Sequence, residues 1–320
     1  MGLLVNGVWH SEEPPLVQAD GRYVRAESQF RHWVTADGSS GFPAEPGRYH
    51  LYIAVGCPWA HRTWIFRKLK RLEDIISMSI VAPRRTAHGW VFDPDDPRYQ
   101  DTLLGTRYLH EIYTLARPDY TGRVTVPVLW DKRRRTIVNN ESSEIIRMLN
   151  SAFNALTGDD ADYYPPPLRA EIDRLNDRIY HTVNNGVYRA GFAATQDAYE
   201  EAVDALFASL DHLEDRLATR RYLLGRSLTE ADWRLFPTLV RFDVAYYGAF
   251  KCNLRRLVDY PNLWAYTRDL YQIPGIAETV DLEIYKQGYY SLSASLPNRA
   301  GIVPKGPVVD FSVPHGRAAL

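Results

Sequence analysis

An apolar run, Tyr49-His50-Leu51-Tyr52-Ile53-Ala54-Val55, ends in Gly56-Cys57-Pro58, and a helix-patterned segment, 59–72, follows. This stretch constrains the local fold more than any other in the chain. Gly56 permits a sharp turn, and Pro58 suits the first helical position, where its missing N–H costs nothing. Cys57 is therefore predicted at a helix N-cap, with unpaired backbone N–H groups pointing at its sulfur. Their partial positive charge favours thiolate over thiol, and His61 and Arg62, one turn on, add to it. The competing reading is a small buried hydrophobe, as most intracellular cysteines are. The order strand, Cys-Pro, helix weighs against that reading, because this geometry activates thiols. Cys57 is the expected nucleophile. Position 60 is alanine, so no internal disulfide can close there, and a mixed disulfide on Cys57 must be resolved by an external thiol.

At 320 residues the chain has room for two domains. A formal net charge of −1 argues against a nucleic-acid partner, which requires a basic face. The short basic runs 67–71 and 132–135 read as solvated helix and turn surface. Cys57 and Cys252 are the only cysteines and lie far apart, so no disulfide framework exists and a reducing, cytoplasmic location is expected. No basic n-region with a long apolar h-region opens the chain, and no apolar run reaches the roughly 20 residues that span a bilayer, so no membrane partner is expected. The nine histidines show no ligand spacing, and no Gly-rich phosphate loop appears, so neither metal nor nucleotide is expected. The 21 tyrosines and 8 tryptophans suit a pocket for a flat ring, although they serve ordinary cores as well.

Residues 1–46, rich in Gly, Pro and Ser, read as an extended N-terminal arm. A thiol-binding domain is expected over 47–155, with strand, helix and strand, then a polar loop, 83–98, containing Trp90. A helix over 101–115, a strand over 124–130, a hairpin return at 136–138 and a helix over 141–149 complete it. That order matches a thioredoxin-like sheet. Pro165-Pro166-Pro167 marks a break, since successive prolines cannot continue a helix. An all-helical domain is expected over 165–295, with helices at 168–184 and 196–220. Val203, Leu206, Leu210, Leu213 and Leu217 share one face of the second. A further helix follows a Thr229/Asp232 capping box in outline, and another starts at Tyr260-Pro261. The tail, 296–320, reads as a strap or a disordered end. The fold class is α/β plus all-α.

A second part of the thiol site is legible at Thr125-Val126-Pro127-Val128. Proline in a strand removes a ladder donor. A cis Val126–Pro127 bond would turn the Val126 backbone toward an extended peptide ligand, and the alternative is a trans proline at the strand's first residue. Asn140-Glu141-Ser142-Ser143 then opens a helix. Ser142 and the N–H groups there can hold a carboxylate, while Glu141 can pair with an ammonium, so an amino-acid head group would fit both. Plain helix capping is the competing reading.

Four motifs in combination, Cys-Pro-Trp-Ala-His-Arg, Thr-Val-Pro-Val-Leu-Trp-Asp, Asn-Asn-Glu-Ser-Ser-Glu-Ile and Asn-Asn-Gly-Val-Tyr-Arg-Ala-Gly-Phe-Ala, resemble those of the Xi-class glutathione transferases, the glutathionyl-hydroquinone reductases. The resemblance covers nearly the whole chain. It implies a thioredoxin-like N-terminal domain, an all-helical glutathione-transferase C-terminal domain and a homodimer built through the helical domains. Glutathione is the implied co-substrate. By motif, Cys57 matches the catalytic cysteine and Trp90 a residue stacking on glutathione. Arg123, Val124, Thr125 and Val126 match the stretch holding its backbone, and Glu141 and Ser142 its γ-glutamyl site. Tyr188 matches a tyrosine that gives or takes a proton. Tyr246 and Tyr289 match two tyrosines facing the cysteine and the substrate hydroxyls, with Tyr285 and Tyr290 close enough to Tyr289 to compete for its place.

Residues and resemblance converge on one reaction. Cys57 attacks the sulfur of a glutathionyl-hydroquinone, Tyr188 protonates the departing ring, and a second glutathione releases oxidised glutathione from Cys57. The alternatives are an Omega-like thioltransferase or dehydroascorbate reductase, the same reductase chemistry with another small thiol such as mycothiol, and a non-catalytic scaffold. An activated thiol has no use in a scaffold.

Overall fold

The computed structural model describes residues 2–12, 16–291 and 301–320. Two units make up the chain, Met1–Pro14 with Ala26–Ala161 and Pro15–Arg25 with Asp162–Leu320.

The first unit opens with an antiparallel hairpin, β1 (Leu3–Val5) and β2 (Val8–His10). Asn6 and Gly7 join the strands with φ of 47° and 78°, the positive values that a two-residue hairpin turn demands. The arm is thus not extended at its start. β3 (Tyr49–Ile53) is buried along its length, and α1 (Pro58–Leu69) leads on to β4 (Ser77–Ile80). Then come α2 (Leu109–Ala116), β5 (Gly122–Arg123), β6 (Val128–Asp131), β7 (Thr136–Asn139), α3 (Ser142–Ser151) and the short α4 (Asn154–Thr157). The main sheet runs β4-β3-β6-β7, with β3 and β4 parallel and the other neighbours antiparallel. This is the thioredoxin-like arrangement expected, and α1 packs against α3. A second sheet, β2-β1-β5, joins the hairpin to the stretch before β6.

Two elements differ from expectation. The helix predicted over 101–115 begins only at Leu109. The Asp101 carboxylate accepts hydrogen bonds from the Leu103, Leu104 and Thr106 N–H groups at 3.1, 3.2 and 3.0 Å, which is the local competition that makes Asp a poor helix former. The strand predicted over 124–130 is shorter than expected. Residues 124–127 lie outside any strand, and β6 starts at Val128, directly after a proline that has no N–H to give the ladder.

In the second unit α5 (Arg169–Ile179) stops short of the predicted 168–184, because 180–184 form a π-turn. α6 (Gly186–Phe192) follows, then α7 (Gln196–Leu217), which buries the five apolar residues expected on its inner face. α8 (Glu230–Leu239) starts at the expected capping box, with the Thr229 N–H donating to Asp232 Oδ2 at 2.8 Å. A second π-turn, Phe242–Tyr246, leads to the short α9 (Tyr247–Ala249), and α10 (Pro261–Tyr271) and α11 (Leu282–Tyr290) complete the helices. The expected boundary at 295/296 lies outside the described residues. Over 301–320 the tail is a strap: Arg317, 2% exposed, donates to the carbonyls of Leu217 at 2.9 Å and Arg221 at 3.0 Å. A guanidinium there satisfies carbonyls at and beyond the end of α7.

His50, in the middle of the main sheet, lies 2.8 Å from Ser77 Oγ through Nδ1 and 3.0 Å from Ser79 Oγ through Nε2. Burial pushes its pKa down to about 4, against about 6.5 in an unfolded chain. Below pH 6.5 the unfolded chain therefore takes up a proton that the folded one refuses, and stability falls as pH drops from 6.5 toward 4. Urea denaturation should give about 2 kcal/mol less stability from this residue at pH 5 than at pH 7.5. His50→Gln should flatten the profile by that amount.

Candidate active site

Cys57 occupies the N-cap of α1 with extended backbone angles, φ −84° and ψ 119°. Its N–H donates to the Ala54 carbonyl at 3.0 Å, and its carbonyl accepts from the His61 N–H at 3.0 Å, so strand end and helix start are fixed on either side of it. The thiol is half-buried and not in a disulfide. Its Sγ lies 3.7 Å from the Val126 carbonyl and caps none of the first-turn N–H groups. His61 and Arg62, expected to add charge near the sulfur, are 1% and 2% exposed. The Arg62 guanidinium lies 4.7 Å over the Trp59 ring, and its Nη1 reaches Ser142 Oγ at 3.4 Å.

The Val126–Pro127 bond is cis, the first of the two readings open from the sequence. Thr125, one residue earlier, is held by a buried phenol. Tyr113 Oη donates to the Thr125 carbonyl at 2.8 Å and accepts from the Thr125 N–H at 3.2 Å and from Asn140 Nδ2 at 3.1 Å. Tyr113 thus ties the stretch before β6 to the start of α3. Arg123 sits in β5, paired with Leu3, and Val124 and Thr125 are partly exposed beside it. Glu141 is the N-cap of α3. Its Oε1 accepts from the Ser143 N–H at 3.1 Å and from Ser143 Oγ at 2.9 Å, and its Oε2 from Ser28 Oγ at 3.2 Å. Capping is therefore real, yet an ionised carboxylate offers about four acceptor positions. Ser142 is 3% exposed. Trp90 follows a tight turn, 86–89, and the Arg85 guanidinium lies 4.4 Å over its ring.

In the second unit the structure brings Tyr188, Tyr246 and Tyr289 together. Tyr289 Oη lies 2.7 Å from Tyr188 Oη and 3.0 Å from Tyr246 Oη. Tyr188 comes from α6, Tyr246 from the end of the second π-turn and Tyr289 from α11. Tyr285 instead turns its hydroxyl to the Thr279 carbonyl at 3.3 Å, beneath Arg241 at 3.7 Å from its ring. Tyr290 packs its hydroxyl so close to Gly248 that a Cβ there would lie 2.1 Å from it. Of the three neighbouring tyrosines, Tyr289 is the one in the cluster. Burial raises Tyr246 and Tyr289 well above the usual phenol range, so both keep their protons at neutral pH. Tyr188 is the partly exposed member of the three.

Among the described residues no group of His, Cys, Asp and Glu could hold a metal ion, and no helix is long and apolar enough to cross a membrane.

Two family models match the chain: "Glutathione S-transferase, N-terminal domain" over residues 56–152 and "Glutathione S-transferase, C-terminal domain" over residues 196–269. Glutathionyl-hydroquinone reductase YqjG of Escherichia coli K12 is 52% identical over 99% of this chain and 98% of its own. Its glutathione-bound structure superposes with a TM-score of 0.91, covering 99% of both chains. Glutathionyl-hydroquinone reductase PcpF of Sphingobium chlorophenolicum is 53% identical over 96% of each chain. A Xi-class glutathione transferase from Natrialba magadii, 46% identical, superposes with a TM-score of 0.92 over 100% of this chain and 97% of its own. The chain belongs to the Xi-class glutathione transferases, the glutathionyl-hydroquinone reductases.

Sequence reasoning missed Tyr113. A signal existed: Leu109, Ile112 and Tyr113 form the buried face of α2, and a tyrosine on such a face needs a partner for its hydroxyl. Tyr113→Phe leaves the Thr125 N–H and Asn140 Nδ2 without their acceptor. It should cost about 2 kcal/mol of stability by denaturant titration, and hydrogen exchange at the Thr125 amide should accelerate.

Proposed function

We propose that the chain reduces S-glutathionyl-hydroquinones to hydroquinones with glutathione, through a mixed disulfide on Cys57. The observation that carries this reading is the half-buried thiol at the N-cap of α1, 3.7 Å from the Val126 carbonyl, with alanine at position 60. Such a thiol can form a mixed disulfide but cannot resolve it alone.

The Cys57 thiolate attacks the sulfur of the substrate's thioether, the sulfur–carbon bond breaks, and the ring carbon takes a proton from Tyr188. Cys57–S–S–glutathione and the hydroquinone result. A second glutathione, as thiolate, attacks the mixed disulfide, oxidised glutathione leaves, and its proton restores the phenol. The substrate's ring is reduced at the expense of two glutathionyl sulfurs, so no metal or nucleotide is consumed. The high phenol pKa values of Tyr246 and Tyr289, imposed by burial, keep those two hydroxyls protonated and able to donate hydrogen bonds.

Glutathione is held by three stretches in this reading. Trp90 offers a ring face, and residues 123–126 offer backbone for β-type pairing. The start of α3, with Ser142 and Glu141, takes the γ-glutamyl head, carboxylate against the helix N-terminus and ammonium against Glu141. The glutathione-bound relative favours glutathione over mycothiol as the thiol. A homodimer through the helical domains and a cytoplasmic location, where reduced thiol is abundant, complete the proposal.

Mass spectrometry of the protein after exposure to a glutathionyl-hydroquinone should find one glutathionyl adduct, on Cys57. Cys57→Ser should lose turnover by orders of magnitude while keeping its melting temperature, and turnover retained in that variant would remove Cys57 from the mechanism. Faster turnover of a small mixed disulfide than of the aromatic thioether would favour an Omega-like thioltransferase. Tyr188→Phe should slow release of the hydroquinone by about 10²-fold or more and leave glutathione binding unchanged. Light scattering should give twice the chain mass, and a monomer would defeat the dimer.

A further inference from the structure

The arm before β3 has no part in the reaction as described, yet it touches each stretch assigned to glutathione. β1 pairs with β5, Leu3 opposite Arg123 and Leu4 opposite Gly122, and the Asn6 N–H donates to Thr121 Oγ1 at 2.8 Å. From β2, Trp9 Nε1 donates to the Ala87 carbonyl at 3.0 Å. Ala87 lies inside the turn that Thr86 and Gly89 close with reciprocal 3.0 Å hydrogen bonds, immediately before Trp90. The Trp9 ring continues a stack with His110 at 4.7 Å, Tyr108 at 5.1 Å from His110, and His88 at 4.4 Å from Tyr108. Gly89, at φ 72°, is where the turn passes under it, since a Cβ would lie 2.8 Å from the indole. Further along the arm, Ser28 Oγ lies 3.2 Å from both the Asn140 carbonyl and Glu141 Oε2. Phe30 and Asn140 exchange two more bonds, Phe30 N–H to Asn140 Oδ1 at 3.2 Å and Asn140 N–H to the Phe30 carbonyl at 3.1 Å.

We propose that the N-terminal arm is a working part of the thiol-substrate site, with Trp9 and Ser28 as positioning residues for Trp90 and Glu141. The inference rests on the reading that Trp90, residues 123–126 and Glu141 hold glutathione. The turn before Trp90 lies in a long irregular connection between β4 and α2. Without the indole, that segment orders itself only when the ligand arrives, and the ordering cost is subtracted from affinity. Ser28 acts on a carboxylate. Its hydroxyl fixes which way Oε2 points, leaving a defined set of lone pairs for an ammonium.

The test is calorimetric titration of reduced glutathione into full-length protein carrying Cys57→Ser, so that binding is read without chemistry. Trp9→Ala should raise Kd about ten-fold. Trp9→Phe, which keeps a ring for His110 but loses the bond to Ala87, should raise it about three-fold, as should Ser28→Ala. Val8→Ala, at an exposed position of the same hairpin, should not change it. With Cys57 intact, the Trp9 and Ser28 variants should raise KM for glutathione more than they lower kcat. A purely structural arm would lower the active fraction, and with it kcat, without changing the Kd of folded molecules. Trp90→Ala and Glu141→Gln serve as references. If they weaken binding while Trp9→Phe and Ser28→Ala leave Kd within about two-fold of the parent, the arm is overturned and the site stands. If the references change nothing, the site reading fails, and the positioning roles of Trp9 and Ser28 fail with it.

Discussion

The pairing of β3 with β6 sets the geometry of the thiol-bearing unit. Tyr52 lies opposite Val128 and Leu51 opposite Leu129, and β3 is buried on both faces, so the register has no exposed side to slip toward. Because the strands are antiparallel, the end of β3 and the beginning of β6 lie at the same edge of the sheet. The chain leaving Ile53 for Cys57 therefore runs beside the chain arriving at Val128 through Val126 and Pro127. Pro127 has no N–H to contribute, and the Val126 carbonyl is left facing the sulfur at 3.7 Å. A half-buried thiol and the backbone of the stretch before β6 are thus neighbours as a consequence of strand register.

Regular structure accounts for the edge of the site, and a few buried polar side chains account for its irregular segments. Tyr113 and Asn140 bind the stretch before β6, the start of α3 and the arm at Phe30 into one network. Asp101 does the same for the bend before α2, where Tyr52 Oη also donates to it at 3.2 Å. Satisfied networks of this kind are worth more in a dry interior than their pairs suggest, and each lost partner strands a buried group. Loops that would otherwise sample many conformations are held in one, which a site for a small flexible peptide requires.

What the sequence revealed and what it hid follow from the range of the forces involved. The Cys-Pro helix start, the buried face of α7 and the Thr229/Asp232 cap are set by residues a few positions apart, so they were legible. The Asn6-Gly7 hairpin was equally local, and its signal, two turn residues between apolar ones, was present but outweighed by the Gly- and Pro-rich composition around it. The false start of α2 came from apolar spacing, which says nothing of an aspartate bonding its own backbone. The two π-turns, 180–184 and Phe242–Tyr246, shift side chains off the 3.6-residue period that a reader assumes. Tyr246 closes one and Tyr188 follows the other. Periodicity could not have shown that these two meet Tyr289, and only the resemblance to a family brought the three together in advance.

In the proposed reaction Cys57 and Tyr188 meet opposite chemical demands. Bond exchange at sulfur calls for a thiolate, and the thiol in the proposed reaction is that of Cys57, the N-cap residue of α1, whose Sγ caps none of the first-turn N–H groups. Protonating a departing ring carbon calls for an acid that has not already given up its proton. Here burial holds the protons on Tyr246 and Tyr289, and their contacts pass through Tyr289 to Tyr188, the member that solvent reaches. If Tyr188 gives up a proton, as proposed, the resulting phenolate can accept a hydrogen bond from Tyr289, which can accept in turn from Tyr246. The charge is spread along hydroxyls already in place, with no rearrangement of water at the moment of transfer. In that reading the two buried phenols serve to steady the phenolate that Tyr188 leaves behind.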